Sequence, residues 1–188
     1  MPRGADIADN LTAVRRRIDA AAHRAKRNPA TVSLVAVSKT VSSDVIRAAA
    51  DAGQRIFGEN RVQEAVAKID ALADLNLEWH LIGYLQSNKA RKAAASVACI
   101  ESIDRIELVH RLSDAAKQAG RRPSVLVQVD LAREPGKHGS PVDEVRDVIE
   151  AALATEATAQ LSRPCAVSRK YTSCAVAPVQ RARSRPAR

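Results

Sequence analysis

Short apolar runs alternate with longer amphipathic segments along most of the chain. Residues 6–27 place apolar side chains at helical spacing, which predicts an N-terminal amphipathic helix. After this helix, a run of mainly aliphatic and β-branched residues is followed by an amphipathic segment five times over. The predicted strands are residues 31–40, 55–58, 77–83, 97–102 and 124–130, and the predicted helices lie near 42–52, 60–72, 86–95, 104–119 and 141–153.

The strand patterns indicate how these units are arranged. The run 31–40 is apolar on both faces, as is typical of a strand buried on both sides in a parallel sheet. Gly53 and Gly120 follow helical segments, where a glycine in the left-handed conformation ends a helix. Alternating strands and helices therefore predict an α/β fold, with a parallel sheet covered by helices.

The alternating pattern stops after Thr155. Residues 156–188 have neither a helical stripe nor a clean strand pattern. Of the 30 basic residues, seven follow Ala157, whereas none of the 21 acidic residues does, so that 23 basic residues face 21 acidic ones in the rest of the chain. We predict a folded unit over residues 1–155 and a disordered basic tail over 156–188. Because the body is nearly neutral, we expect no specific nucleic-acid-binding domain.

Bulk composition narrows the class of protein further. The 188 residues are 46% apolar but only 2% aromatic, so aliphatic side chains must build the core. No apolar run reaches the roughly 18 residues of a membrane span, and the N-terminus lacks the apolar core of a signal peptide. The cysteines, Cys99, Cys165 and Cys174, are odd in number and form no Cys-x-x-Cys pair. We therefore expect a cytoplasmic protein without a disulfide framework and without membrane contact.

Lys39 is the first candidate for chemistry. It directly follows the first predicted strand, at the edge of the sheet where ligands of (β/α) folds bind. A lysine that is partly desolvated there presents a neutral amine more readily, and such an amine forms an imine with an aldehyde. From the position in the sequence alone, a solvated lysine at a strand end is a simpler interpretation than a lysine that forms an imine.

Three further segments bring polar residues to strand ends. Glu59 and Asn60 leave the second strand, although an ordinary strand-to-helix turn explains them equally well. His80 lies inside the third, apolar strand, where a core histidine with satisfied hydrogen bonds is the simpler interpretation. Lys137 lies in the loop after the fifth strand, for which a surface turn is the default interpretation.

Several motifs of other functional classes are missing. The sequence contains no Gly-x-Gly-x-x-Gly or Walker loop, so it does not predict nucleotide binding by those devices. It contains no Gly-x-Ser-x-Gly elbow and no His-Glu-x-x-His motif, and its four histidines have no metal-ligand spacing. We therefore predict no metal site.

The strand-end segments occur in an order that is more specific than any one of them. They are LVAVSKT (34–40), FGENRVQE (57–64), WHLIGYLQSNK (79–89), IESID (100–104) and VLVQVD (125–130). Over residues 5–155, this order and spacing resemble the pyridoxal phosphate homeostasis family, whose members are related to the N-terminal barrel of bacterial alanine racemase.

The resemblance implies a (β/α)8 TIM-type barrel that carries pyridoxal 5′-phosphate (PLP) as an imine on Lys39. It also implies that Asn60 lies near the cofactor and that His80 lines the site. Family members are regarded as carriers or regulators of PLP and of amino- and keto-acid balance, without robust catalytic turnover. We therefore expect a PLP-binding protein of cofactor homeostasis rather than an enzyme, with amino or keto acids as further small-molecule partners. The oligomeric state stays open.

The chain departs from the family pattern after about residue 155. The resemblance implies three further βα units, with a Ser-Met-Gly-Met-Ser segment and an Arg-x-Gly strand that supply most of the phosphate-binding groups. Neither occurs here, and the one methionine is Met1. We expect an incomplete barrel of about five βα units whose first and fifth strands are open edges. A frameshift near residues 154–162, or a genuine truncation, is the hypothesis for its origin.

Two alternative functions stay open. The first is a PLP-dependent, amino-acid racemase-like enzyme, which needs a second acid/base on the opposite face of the imine. The second is a non-functional, frameshifted product whose Arg-rich tail binds polyanions with a strong salt dependence. Exchange of the α-proton of an amino acid, lost on replacing Lys39, would favour the first. Loss of polyanion binding on deletion of residues 157–188 would favour the second.

Overall fold

The computed structural model describes residues 4–131, 138–155 and 174–178, the last range by its backbone alone. The helices in these ranges are α1 (Gly4–Arg24), α2 (Ser43–Asp51), α3 (Val62–Ala71), α4 (Ala90–Ser96), α5 (Ile106–Ala119) and α6 (Val145–Ala154). The strands are β1 (Ala36–Val37), β2 (Ile56–Glu59), β3 (Glu78–Leu81), β4 (Cys99–Ile103), β5 (Ser124–Asp130), β6 (Ser140–Pro141) and β7 (Cys174–Pro178).

The strands β1 to β6 form one parallel sheet in chain order. The helices α2 to α5 connect successive strands from β1 to β5, and α1 precedes them all. The predicted α/β class, with a leading helix and five βα units, is therefore confirmed. The short strand β6, between β5 and α6, was not predicted. Within the described residues, no helix is long and apolar enough to cross a membrane.

The first strand differs from its prediction. β1 covers two residues instead of the run 31–40, and a 3-10 turn occupies Pro29–Thr31. Its one partner among the described residues is β2, so it forms an edge of the sheet. The Val37 side chain is consequently 45% exposed. The expectation of burial on both faces is wrong for this strand.

The fifth strand, in contrast, is not the open edge that we expected. β5 pairs with β4 on one side, and its C-terminal residues Val129 and Asp130 pair with β6. The antiparallel strand β7 also pairs with β5, along Leu126–Asp130. β7 falls within 156–188, where we predicted disorder. The rest of that segment lies outside the described residues, as does Lys137, so the predictions made for them stay predictions.

The two faces of the sheet have different surroundings, and the strand register shows which residues share a face. Phe57 and Trp79 are paired across β2 and β3 and belong to the apolar core between sheet and helices, with ring centroids 5.7 Å apart. The next residues along, Gly58 and His80, are likewise paired and lie on the opposite face. We call this opposite face the inner face, because a barrel of this topology encloses it.

Candidate functional site

Lys39 lies at the C-terminal edge of the sheet, directly after β1. Its neighbour Ser38 is buried on the helix side, so the alternation of an extended chain directs Lys39 toward the inner face. The Lys39 side chain is exposed, and the partial desolvation that we expected is not seen. Thr40 follows with a φ of 64°, a left-handed conformation that β-branched residues rarely adopt and that costs about 1–3 kcal/mol.

A buried ion pair holds this edge together on the helix side of the sheet. Glu59 Oε1 accepts hydrogen bonds from Ser38 Oγ and from Lys68 Nζ, both at 2.6 Å. The same Lys68 ammonium donates to the Ser38 carbonyl oxygen at 2.7 Å. Glu59 is fully buried, and the Lys68 side chain is 13% exposed. The end of β1 is thereby tied to β2 and to α3, which fixes the backbone from which Lys39 projects.

Sequence reasoning noted Glu59 only as a polar strand end, and it missed Lys68. A lysine inside an amphipathic helix is normally a solvated residue, so no sequence pattern marked it. The pairing depends on the packing of α3 against β2, which places Lys68 above the end of the strand.

Asn60 follows β2 at the same edge. Its side-chain Oδ1 is buried and has no hydrogen-bond partner among the described residues. Its backbone lies against Gly83 in the loop after β3, where an added Cβ would come within 2.3 Å of the Asn60 carbonyl oxygen. The second and third strand-end loops therefore touch through a position that only glycine fits.

His80 is buried on the inner face and lies between two carboxylates. Its Nδ1 is 2.6 Å from Glu101 Oε1, and its Nε2 is 2.9 Å from Glu78 Oε1. Burial lowers the pKa of His80, but the hydrogen bonds and charges of Glu101 and Glu78 outweigh it, so that the pKa lies above its ordinary value. The register pairs His80 with Gly58, and Gly58 with Val37. His80 is thus level with Val37, two residues before Lys39.

Cys99 joins this inner-face group from the neighbouring strand. One ligand atom from each of His80, Cys99 and Glu101 lies within 4.8 Å of the others, and all three residues are buried. We predicted no metal site, because the sequence contains no metal-binding motif and its four histidines lack metal-ligand spacing. Their proximity comes from the parallel pairing of β3 with β4, which local spacing does not reveal.

A second cluster lies in the strand-end loops. The Arg105 guanidinium is 5.3 Å from the centre of the Tyr84 ring, and the His138 ring stacks on Tyr84 with centroids 3.8 Å apart. Arg105 Nη2 also donates to Ser87 Oγ at 2.9 Å. These contacts connect the loops after β3, β4 and β5. Sequence reasoning missed them, because loop residues carry no periodicity.

Comparison with known proteins connects this geometry to a family. The family model of the alanine racemase N-terminal domain matches residues 10–163. The chain is 44% identical over 146 residues to the pyridoxal phosphate homeostasis protein of Pseudomonas aeruginosa, covering 77% of this chain and 63% of the relative. It is 45% identical over 152 residues to the protein of the same name from Escherichia coli K12, covering 79% of this chain and 64% of the relative. The chain therefore spans less than two thirds of the length of these relatives.

The fold is similar to that of a solved structure with the cofactor in place. PipY of Synechococcus elongatus with PLP bound superimposes with a TM-score of 0.70 at 36% sequence identity. The match covers 88% of this chain and 73% of PipY. The matched region includes most of the described sheet and helices.

Proposed function

Because the chain belongs to the family of the alanine racemase N-terminal domain, we propose that it binds PLP at Lys39 and serves PLP homeostasis. The observation that carries the proposal is the position of Lys39, exposed at the C-terminal edge of a parallel sheet and directed to its inner face. That edge is where (β/α) folds bind their ligands. The names of the relatives, and the PLP bound to PipY, support the PLP-binding and homeostasis part of the proposal.

The surroundings of Lys39 fit such a cofactor. The Asn60 Oδ1 atom is buried without a partner within the described residues, and a buried acceptor of this kind is costly unless a ligand or water donates to it. We propose that Asn60 makes a polar contact with the cofactor. For His80 we propose a lining role only, because it lies two residues deeper on the inner face than Lys39.

The attachment would be an imine between Lys39 Nζ and the aldehyde carbon of PLP, formed with release of one water molecule. Nearby Lys68 is a poor competitor, because its ammonium already donates to Glu59 and to the Ser38 carbonyl oxygen in a nearly buried setting. When bound, PLP supplies an electron sink for groups attached to its aldehyde carbon. The chain's own contribution is to hold the base of Lys39 rigid through the Ser38–Glu59–Lys68 contacts.

Reduction with borohydride tests this assignment, because it converts an imine into a stable secondary amine. The full chain is incubated with PLP, reduced and digested, and the modified lysine is identified by mass spectrometry. We expect the adduct on Lys39, its loss in Lys39→Arg, and full retention in the matched control Lys89→Arg. Equal labelling of Lys89 and Lys39 in the unmodified chain would refute the site.

We further propose that the protein carries PLP without robust turnover. Racemisation needs a second acid/base on the face of the imine opposite Lys39, so the lysine alone does not suffice for it. The relatives from Pseudomonas aeruginosa and Escherichia coli are also named as homeostasis proteins and not as racemases. The test is exchange of the α-proton of L-alanine in deuterated water with the PLP-loaded chain. We expect no exchange above that of free PLP. Exchange that requires Lys39 would establish the racemase-like alternative instead.

A further inference from the structure

The inner-face group of β3 and β4 has the composition of a transition-metal site. His80 and Cys99 are direct neighbours in the parallel register, so their side chains leave the sheet side by side. Glu101 lies two residues after Cys99 and therefore projects on the same side. A nitrogen, a sulfur and an oxygen donor thus converge within 4.8 Å in a buried environment.

Glu78 fixes the orientation of the His80 ring through a second hydrogen bond, in addition to the one with Glu101. Its carboxylate lies 2.9 Å from His80 Nε2, on the far side of the ring from Glu101. An imidazole whose Nε2–H donates to Glu78 can give up the proton that Nδ1 shares with Glu101, and the Nδ1 lone pair is then directed toward the Glu101 and Cys99 side. Metal-binding histidines in proteins are held in this way, with the second ring nitrogen donating to a carboxylate.

We propose that His80 Nδ1, Cys99 Sγ and a Glu101 carboxylate oxygen bind a divalent transition metal, with Zn²⁺ the ion that the donor set fits best. Zinc takes nitrogen, sulfur and oxygen ligands at about 2.0–2.3 Å, which puts neighbouring ligands roughly 3–4 Å apart. To meet this, the Nδ1–Oε1 separation must widen from 2.6 Å, while all three donor atoms already lie within 4.8 Å of one another. Mg²⁺ and Ca²⁺ prefer an all-oxygen shell, so they fit poorly. Three protein ligands leave one tetrahedral position for water.

Binding would exchange protons for the ion. The proton shared between His80 Nδ1 and Glu101 leaves, and Cys99 loses its thiol proton, so that a thiolate, a carboxylate and a neutral imidazole face the dication. A cavity of about 390 Å³ beside this group is lined by Glu78, Arg121, Arg122 and the start of β5, and Glu78 also hydrogen-bonds His80. This cavity is at the N-terminal end of the strands, opposite the Lys39 edge.

Cobalt substitution tests the proposal on the full chain. After treatment with a chelator and gel filtration, Co²⁺ is added, and the near-ultraviolet sulfur-to-cobalt charge-transfer band and the visible bands of tetrahedral cobalt are recorded. We expect both at one Co²⁺ per chain, with displacement by Zn²⁺. Cys99→Ala should abolish the charge-transfer band. Glu78→Gln keeps all three ligands and should weaken Zn²⁺ binding by about 10- to 100-fold.

Two controls keep the result specific. Cys165→Ser combined with Cys174→Ser removes the other thiols and should leave the bands unchanged. Lys39→Arg should also leave them unchanged, so that failure of the PLP proposal and failure of the metal proposal are distinguishable. Retention of the native Trp79 emission shows that each variant is folded. A folded unmodified chain without a charge-transfer band, or a band that survives Cys99→Ala, would overturn the proposal.

Discussion

The Lys68–Glu59 ion pair allows the sharpest test of how the sheet edge is held. Replacing Lys68 with alanine removes the cation that balances a fully buried carboxylate. It also removes two hydrogen bonds, at 2.6 Å to Glu59 and at 2.7 Å to the Ser38 carbonyl oxygen. Since the second Glu59 oxygen already lacks a partner among the described residues, the charge left behind has only Ser38 Oγ to stabilise it.

The expected loss follows from burial. Breaking a buried ion pair from one side costs about 3–5 kcal/mol, because an uncompensated charge remains. Lys68 keeps some solvent contact, and water can approach the vacated space, so we expect a value near the lower limit, about 3 kcal/mol. For a chain of this size, such a loss lowers the melting temperature by about 6–12 °C. The Glu59→Leu/Lys68→Met double variant removes both charges and should recover most of the loss.

Urea unfolding followed by tryptophan emission measures the effect, because Trp79 is the one tryptophan and lies in the core. The matched control is Arg47→Ala. Arg47 also pairs with a carboxylate, that of Asp74, but in an exposed position, and surface pairs contribute little. We expect no resolved change for the control. If Lys68→Ala were as mild as Arg47→Ala, the claim that this pair ties β1 to α3 would be wrong.

Two other positions give further tests of the packing. Gly83→Ala puts a Cβ 2.3 Å from the Asn60 carbonyl oxygen, so we expect a loss of about 1–3 kcal/mol in urea unfolding together with reduced borohydride labelling of Lys39. The control is Gly120→Ala, where an added Cβ meets no atom but the backbone has a φ of 62°. This left-handed conformation should lower the free energy of unfolding by about 1–2 kcal/mol and leave labelling of Lys39 intact. Equal labelling of Lys39 in the two variants would contradict a role for the Asn60 loop. Leu112→Ala in the core at 0% exposure should cost about 2–5 kcal/mol, and a smaller loss would show that α5 packs loosely.

Sequence patterns were sufficient for the order and type of the elements from α1 to β5 and for α6, but not for β6 and β7, because periodicity reports the face that each segment buries. They located Lys39 for the same reason, since a polar residue directly after an apolar strand must lie at the sheet edge. Gly53 and Gly120, with φ of 82° and 62°, end their helices as their positions predicted. Boundaries were less accurate. β1 is two residues long because the length of a strand depends on how many of its residues pair with the neighbouring strand. The sequence of the segment itself does not determine this pairing.

The side-chain clusters that sequence reasoning missed depend on contacts between different elements, and sequence spacing alone does not show these contacts. In the sequence, Lys68 has the appearance of an ordinary solvated helix lysine. It reaches Glu59 because α3 packs above the end of β2. Cys99 and Glu101 come close to His80 only because β4 pairs with β3 in this register. The stacking of Tyr84 with His138 joins two loops that no motif connects. A single sequence constrains local structure strongly, whereas side-chain clusters of this kind arise from sheet register and helix packing.

Adjacent residues of a strand face opposite sides of the sheet, so that one packs or bonds on the helix side while the next lies on the inner face. Ser38 faces the helix side and donates to Glu59, while Lys39 is directed to the inner face and is exposed. Trp79 packs in the core, while its neighbour His80 carries two carboxylate contacts on the inner face. In these two cases, the period-2 alternation places a helix-side contact in the residue directly before the polar inner-face residue. If PLP binds at Lys39 as proposed, the same helix-side contacts support both the site and the fold, so that Lys68→Ala should alter borohydride labelling of Lys39 although Lys68 lies on the opposite face.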